Sequence, residues 1–262
     1  MTLNNARILE VATGAGEHTA DICDYVSQTK NISLFSIDNH AISFVLKKKL
    51  QQWNHFLTLQ KMNMLNLGYP SNHFDIVSTH TTIEALTNGP VTLIIALNEL
   101  RRVLKKNGFV AITSNYPFIK ETDVGNEWSK NRWLFTKIIA HLLYLTHYEE
   151  IYPAELKKIL QYCGFGQVCM KKFQYHLKSS SFIKQMDLEM NFLNTLLKKV
   201  TDSAMKKKLK LEIVNKYESC RRRLCPAVKL PAYYVVKAKK ISSRSDHSHL
   251  AFSDGMILPL IR

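Results

Sequence analysis

Paired cysteine is missing from this chain. Its five cysteines, Cys23, Cys163, Cys169, Cys220 and Cys225, are odd in number and scattered, with no CxxC and no Cys/His spacing of the kind zinc needs. That excludes a disulfide framework and a zinc finger, and reads as reduced, cytosolic thiols. Long apolar runs are missing too. The most apolar helical stretch, Leu134 to Leu145, is interrupted by Lys137 and His141 and falls short of the roughly 20 residues that a bilayer crossing requires. No signal peptide is read at Met1-Thr2-Leu3-Asn4-Asn5, which runs directly into strand-like Arg7–Val11. There is no internal repeat. Acidic residues are few, 21 Asp and Glu against 36 Lys and Arg, and the resulting net charge of +15 favours nucleic acid, acidic lipid heads or a negatively charged metabolite without choosing among them.

What the sequence does hold is material for a full core. An apolar fraction of 46% with 10% aromatics in 262 residues excludes disorder of the whole chain and suits one large α/β domain. The first 120 residues alternate short β-branched runs with helical patterns, the signature of parallel βαβ units. Strands are expected at Arg7–Val11, Ser33–Ile37, Phe56–Gln60, Phe74–Ser78 and Gly108–Thr113, with helices at His18–Ser27, His40–Gln52 and Pro90–Lys105. In the last of these, Leu93, Ala96, Leu97, Leu100, Val103 and Leu104 form an apolar stripe, Arg101, Arg102, Lys105 and Lys106 form the exposed face, and Asn107-Gly108 stops the helix. A helical region Glu127–Tyr148, a helix Pro153–Tyr162 and strands Gln167–Phe173 and Ala232–Ala238 follow. The last two form an antiparallel pair around a Lys-rich helical insertion, Ser179 to Arg223. The expected division is a single domain over residues 1–240 with that insertion at about 179–223, then a flexible tail over 241–262.

Glu10-Val11-Ala12-Thr13-Gly14-Ala15-Gly16-Glu17-His18-Thr19 lies where the first strand ends and a helix begins, where backbone N–H groups can face a nucleotide. A dinucleotide fingerprint would want glycine at positions 12, 14 and 17, whereas this chain has Ala12, Gly14 and Glu17. A carboxylate in the first helical turn would repel a pyrophosphate. It tolerates a phosphate-free ligand with a positive centre.

These residues resemble the first motif, acidic-x-x-x-Gly-x-Gly, of the class I S-adenosylmethionine-dependent methyltransferases, matched by Glu10, Gly14 and Gly16 with Ala12 in place of the usual first glycine. The resemblance continues at Ile37-Asp38, an acidic strand end 22 positions after Gly16, where the family holds the ribose hydroxyls. Such a carboxylate can accept from two vicinal hydroxyls at once. Asp38 could equally cap the helix that follows. Met62-Asn63-Met64 resembles the adenine-binding stretch, with Asn63 in place of an aspartate and Met64 on the ring, although a polar loop residue and a core methionine would look the same. Asn98 to Phe109 resembles the passage into strand five. The resemblance spans roughly Asn5 to Phe173 with a last strand at Ala232–Ala238. It implies a doubly wound, mostly parallel seven-stranded α/β sheet with an antiparallel last strand, S-adenosylmethionine as cofactor, no metal, and cofactor contacts from Glu10, Ala12, Gly14, Gly16, Asp38, Asn39, Asn63, Met64 and Thr79.

Methyl transfer from a sulfonium is an in-line displacement in which proximity and desolvation supply most of the acceleration. A base helps where the acceptor must lose a proton, and His80, just beyond the fourth strand, is the best placed candidate; a structural histidine is the plainer alternative. Ser78-Thr79-His80-Thr81 is not the Asn/Asp-Pro-Pro-aromatic run of amino-methylating nucleic-acid enzymes, and Asn115-Tyr116-Pro117-Phe118 follows strand five instead. Cys220 and Cys225 lie in the insertion, away from where a cytosine methylase needs its nucleophile. Cover for the crevice is expected from Asn115–Tyr148 and the insertion, with Tyr116, Phe118, Trp128, Trp133, Phe182, Met186 and Phe192 either lining it or packing helices together.

From Lys178 to Arg223 there are twelve Lys and Arg against five Asp and Glu. A solvated helix face, a peripheral membrane contact for a lipid-like acceptor, and an RNA phosphate contact are the competing uses. Only Tyr217 stands close enough to the lysines to stack a base. The function expected is therefore cytoplasmic methyl transfer to a small, hydrophobic or aromatic acceptor. An RNA methyltransferase and a methyltransferase-like binding protein without catalysis are the rivals.

Overall fold

The computed structural model describes residues 5–86, 90–117, 123–145, 147 and 149–241. The expected tail, Phe118 and part of the loop before the third helix lie outside these residues. The chain runs β1 (Arg7–Val11), α1 (Glu17–Val26), β2 (Ser33–Asp38), α2 (Phe44–Leu50), β3 (Leu57–Lys61), β4 (Phe74–His80), α3 (Pro90–Val103), β5 (Leu104–Asn115), α4 (Val124–Leu142), α5 (Pro153–Tyr162), β6 (Phe165–Phe173), β7 (His176–Lys178), α6 (Ser179–Lys198), α7 (Ser203–Arg222), β8 (Ala227–Lys229) and β9 (Tyr233–Lys240).

Seven strands form one sheet in the order β3-β2-β1-β4-β5-β9-β6. β1 pairs in parallel with β2 and with β4, β2 with β3, and β4 with β5. β9, which follows the insertion, enters antiparallel between β5 and β6, as expected of the last strand. Helices cover both faces, so the central strands are buried all round and read as apolar runs rather than alternating ones. Leu9, Leu34, Val77 and Val110 are fully buried in neighbouring strands. The strand order reverses between β1 and β4, which opens a crevice at their carboxyl ends.

The stripe expected on α3 is buried at Leu93, Ala96, Leu97, Leu100 and Val103. The helix stops at Val103, two residues before the expected Lys105. Leu104 instead pairs with Phe74, and the ladder resumes only at Phe109 opposite Ile76, with Asn107 left-handed at φ 67° inside the irregularity. The cationic face foreseen for α3 is also spoken for. Arg102 donates to the carbonyls of Leu67 and Tyr69 and pairs with Glu99, Arg101 donates to the Gly164 carbonyl, and Lys105 pairs with Asp75. The Arg102 contacts brace the loop between β3 and β4, and those of Arg101 and Lys105 tie the end of the helix and the start of β5 to the turn before β6 and to β4.

The contacts divide the chain into two compact units, the second comprising Asn115–Glu150 and Lys172–Tyr233. In that unit the Lys-rich stretch is two helices. The break spans residues 199–202, and the Asp202 side chain caps α7 by accepting from the Met205 N–H at 2.9 Å. β7 and β8, three residues each, pair antiparallel across the base of the helix pair. Trp128, Phe182, Met186, Tyr217 and Cys220 share one core cluster, and Phe135, Ile139, Leu193, Leu197, Leu209 and Ile213 share another. Trp128, Phe182 and Met186 are fully buried there, so the lining role is corrected for these three and the helix-packing alternative holds. Tyr116, Trp133 and Phe192 keep partial exposure. Among the described residues no helix is long and apolar enough to cross a membrane.

Candidate active site

The turn from β1 into α1 is built from left-handed backbone. Ala12, Gly14 and Gly16 have φ of 69°, 53° and 80°. At Ala12 this costs about 1 kcal/mol that glycine would not lose. The cost is met by two N–H groups, of Ala12 and Thr13, that both donate to the Ile37 carbonyl at 2.8 and 3.0 Å. Gly16 is also closely packed: a Cβ there would lie 2.5 Å from Leu46 Cδ1, so that side chain of α2 would have to shift. Gly14 is the opposite case, because a Cβ there would meet nothing within 4 Å. The bend is thus packed at its back and open at its front, a cradle that a ligand can approach closely. Lys49 closes one side by donating to the Ala15 carbonyl and pairing with Glu17. Glu17's charge is therefore answered locally, and the missing glycines at positions 12 and 17 count more against a pyrophosphate.

Asp38 faces this bend. Its Oδ2 accepts from the Gly14 N–H at 2.9 Å, and its Oδ1 accepts from the His40 N–H at 2.8 Å and lies 3.1 Å from His40 Nδ1. Partial burial alone would raise its pKa, but the bonds from His40 and Gly14 outweigh that and hold the carboxyl below its ordinary value. The capping alternative is corrected: α2 starts at Phe44, and its cap is Ser43, whose Oγ accepts from the Leu46 N–H at 3.1 Å. Asn39 lies exposed beside Asp38.

Glu10 turns inward. It is 1% exposed, and its Oε2 accepts from Ser36 Oγ at 2.6 Å, which in turn lies 2.7 Å from Thr13 Oγ1. This chain ties β1, β2 and the bend together beneath the cradle. Burial pushes its pKa up to about 7; the Ser36 bond opposes the rise and the Asp38 charge adds to it.

Asn63 follows β3. Met62 N–H donates to the Asp38 carbonyl at 2.8 Å, which brings the ends of β2 and β3 together. Asn63 Oδ1 accepts from the Leu65 N–H at 2.9 Å in a tight turn that leaves its amide nitrogen outside that bond. Asn63 is exposed and Met64 is 9% exposed beside it.

At the end of β4, Thr79 pairs in register with Val11 and with Ile112 in the flanking strands. Its Oγ1 is buried with no hydrogen-bond partner among the described residues, and so is Nδ1 of His80. His80 stacks on His18 with ring centroids 4.8 Å apart. Burial lowers the pKa of His80 and lowers that of His18 to about 3, the His80 charge adding to the second shift. His18 was not among the residues singled out in the sequence. A histidine in the first turn of a helix, where the helix dipole disfavours a cation, was the available signal. Among the described residues no group of three or more His, Cys, Asp or Glu is placed to hold a metal ion.

The family model of the methyltransferase domain matches residues 9–112, which span β1 to Ile112 of β5. No curated protein matches the chain. Among solved structures, a protein from Bacillus halodurans C-125 described as a methyltransferase is similar over 91% of this chain and 94% of its own, at 16% identity and a TM-score of 0.56. The YcgJ protein of Bacillus subtilis is similar over 91% and 93%, at 16% identity and TM-score 0.55. Phosphoethanolamine N-methyltransferase 2 of Haemonchus contortus, bound to phosphomonomethylethanolamine and S-adenosylhomocysteine, is similar over 91% of this chain and 49% of its own, at 14% identity and TM-score 0.53. At these identities the neighbours show the fold. Residues 9–112 match a methyltransferase domain, and they lie in a sheet of the seven-strand class I methyltransferase fold.

Proposed function

We propose that this domain transfers a methyl group from S-adenosylmethionine to a small, hydrophobic or aromatic acceptor in the cytoplasm. The observation that carries the reading is the Asp38 carboxylate held on the Gly14 N–H, with open space in front of Gly14. That pairing fits adenosine: Asp38 Oδ2 keeps a lone pair for a ribose hydroxyl, and its low pKa keeps it charged. Ala12, Gly14 and Gly16 supply the backbone of the cradle, Asn39 flanks Asp38, Asn63 takes the adenine amino group, and Met64 packs on the ring. Glu10 holds the bend in place from beneath. Thr79 closes the crevice at the end of β4.

When bound, the cofactor supplies a methyl group on a positively charged sulfur. This chain's residues hold the acceptor in line with it and exclude water, which lowers the barrier by orientation and desolvation. His80, kept neutral by burial, accepts a proton where the acceptor has one to lose. The five free cysteines support a reducing, cytosolic setting.

Two observations weigh against RNA as acceptor. Tyr217, the one aromatic beside the lysines, packs on Trp128 and donates to Asp187, so it offers no face to a base. Lys216 and Arg223 are paired with Glu127. The test is a mass-spectrometric screen of cell extract treated with the purified protein and S-adenosylmethionine. Small metabolites that gain one methyl group support the reading. Methylated RNA with unchanged metabolites overturns it in favour of the RNA enzyme, and cofactor binding without any methylated product favours the non-catalytic protein.

A further inference from the structure

Two imidazoles from different elements meet at the reversal point of the sheet. His18 is the second residue of α1, and His80 ends β4. Their rings lie 23° from parallel with centroids 4.8 Å apart. His18 Nε2 lies 3.5 Å from Ser78 Oγ, at the outer limit of a hydrogen bond, so stacking is the firmer of its two contacts. Both rings are partly buried, and both are held neutral by that burial. The start of α1 adds to the effect on His18, because the positive end of the helix dipole opposes a cation. Beside the pair, His80 Nδ1 and Thr79 Oγ1 are buried without a partner among the described residues. Buried polar atoms are nearly always hydrogen-bonded in native proteins, so these two are suited to a ligand's polar group.

We propose that His18 is a positioning residue that holds His80 as the base for the methyl acceptor, and that the acceptor is therefore a protic nucleophile, an O–H or N–H compound. The inference rests on the methyltransferase reading given above and goes beyond it in the class of acceptor and in the part taken by His18. In balance, an acceptor lone pair forms the new bond to the methyl carbon, the bond from that carbon to sulfur breaks with its electrons left on sulfur, and the acceptor proton passes to His80 and then to water. While His80 carries the proton, the neutral ring of His18 lies against the imidazolium, and an aromatic face attracts a cation. His18 stays neutral throughout, because burial and the His80 charge lower its pKa to about 3. An acceptor that reacts without losing a proton, such as a thioether or a carboxylate, gains nothing from this arrangement.

The experiment compares wild type with His18→Ala, His18→Phe and His80→Ala. Three quantities are read: S-adenosylhomocysteine affinity by calorimetry, melting temperature, and transfer of label from S-adenosylmethionine to a deproteinised small-molecule extract at saturating cofactor. All four proteins are expected to bind S-adenosylhomocysteine alike. His80→Ala should lose about 100-fold in labelled product, the scale of a general base, with partial recovery in free imidazole. His18→Ala should lose about 10-fold through misplacement of that base, and His18→Phe, which restores a flat ring, should regain most of it. The methyl group should sit on oxygen or nitrogen. The inference is overturned if His18→Ala, folded and binding, matches wild type, if His18→Phe falls as far as His18→Ala, or if the product is a sulfonium or a carboxylate ester. Failure of the underlying reading looks different: wild type itself then neither binds S-adenosylhomocysteine nor transfers label.

Discussion

The two units of the chain make opposite use of their polar and aromatic residues. In the sheet unit, Asp38, Asn63, Thr79 and His80 all lie at or just after the carboxyl ends of parallel strands, beside the bend that follows β1. In the helical unit several large aromatics go into its own core: Trp128 and Phe182 are fully buried, and Tyr217 packs on Trp128 and donates to Asp187. The proposed site lies where the strand order reverses, because the ends of four strands converge there. A helix bundle satisfies its backbone internally and has only side chains to offer. Substitutions should therefore separate cleanly, the helical unit affecting stability and the crevice affecting cofactor binding.

The sharpest break of this comparison is Trp128→Ala, expected to cost about 3 to 5 kcal/mol of stability while leaving cofactor affinity in the surviving folded fraction unchanged. Chemical denaturation and calorimetry measure the two, and a loss of affinity without a loss of stability would move Trp128 into the crevice. Asp38→Ala is the reverse experiment, with about 1.5 to 3 kcal/mol of cofactor affinity lost as charge-assisted hydrogen bonds disappear, and little change in melting.

Glu10 sharpens the comparison by pH. Its pKa in the folded protein is raised from 4.5 to about 7, so the native state retains a proton that the unfolded chain has released. Stability should therefore be full below the lower value, fall as pH rises from about 4.5 to about 7, and then level off. Glu10→Gln should flatten that decline in melting temperature, and an unchanged profile would show that another group causes it.

Ala12→Gly should stabilise by up to about 1 kcal/mol, since it relieves a left-handed alanine. A destabilised variant would show that the methyl group packs usefully. Smallest of all, Lys207, Lys208 and Lys210 changed together to Ser should shift stability by less than about 0.5 kcal/mol and leave the metabolite products unaltered. Loss of transfer would return RNA or a membrane to consideration.

The first five strands were legible to within a residue or two at most ends, because each is a short apolar run bounded by polar turns. The exception is instructive: Leu104 joins β5 four residues before the expected Gly108, since pairing with Phe74 outweighs the helical pattern that runs through Lys105. Asp38 and the glycine bend were legible as well, because their spacing reflects one strand-to-helix turn and the next strand beside it. Glu10's inward course was hidden, as it depends on Ser36 across the ladder rather than on its own neighbours. His18 was hidden for the same reason: its partner lies 62 positions away and only the sheet brings them together. In the helical unit, the helices were legible from their periodicity, but the fate of the aromatics was not, because an amphipathic stripe looks alike whether it faces a ligand or another helix.

On the proposed reading, the cradle at Gly14 and the Asp38 carboxylate together hold the adenosine part of S-adenosylmethionine. Calorimetric titration of wild type and Asp38→Ala with S-adenosylmethionine tests it most directly. Micromolar binding by wild type, weakened at least tenfold in a variant that melts normally, is the expected result, a tenfold change being about 1.4 kcal/mol. No heat at millimolar cofactor with wild type, or equal affinity in the two proteins, would contradict it.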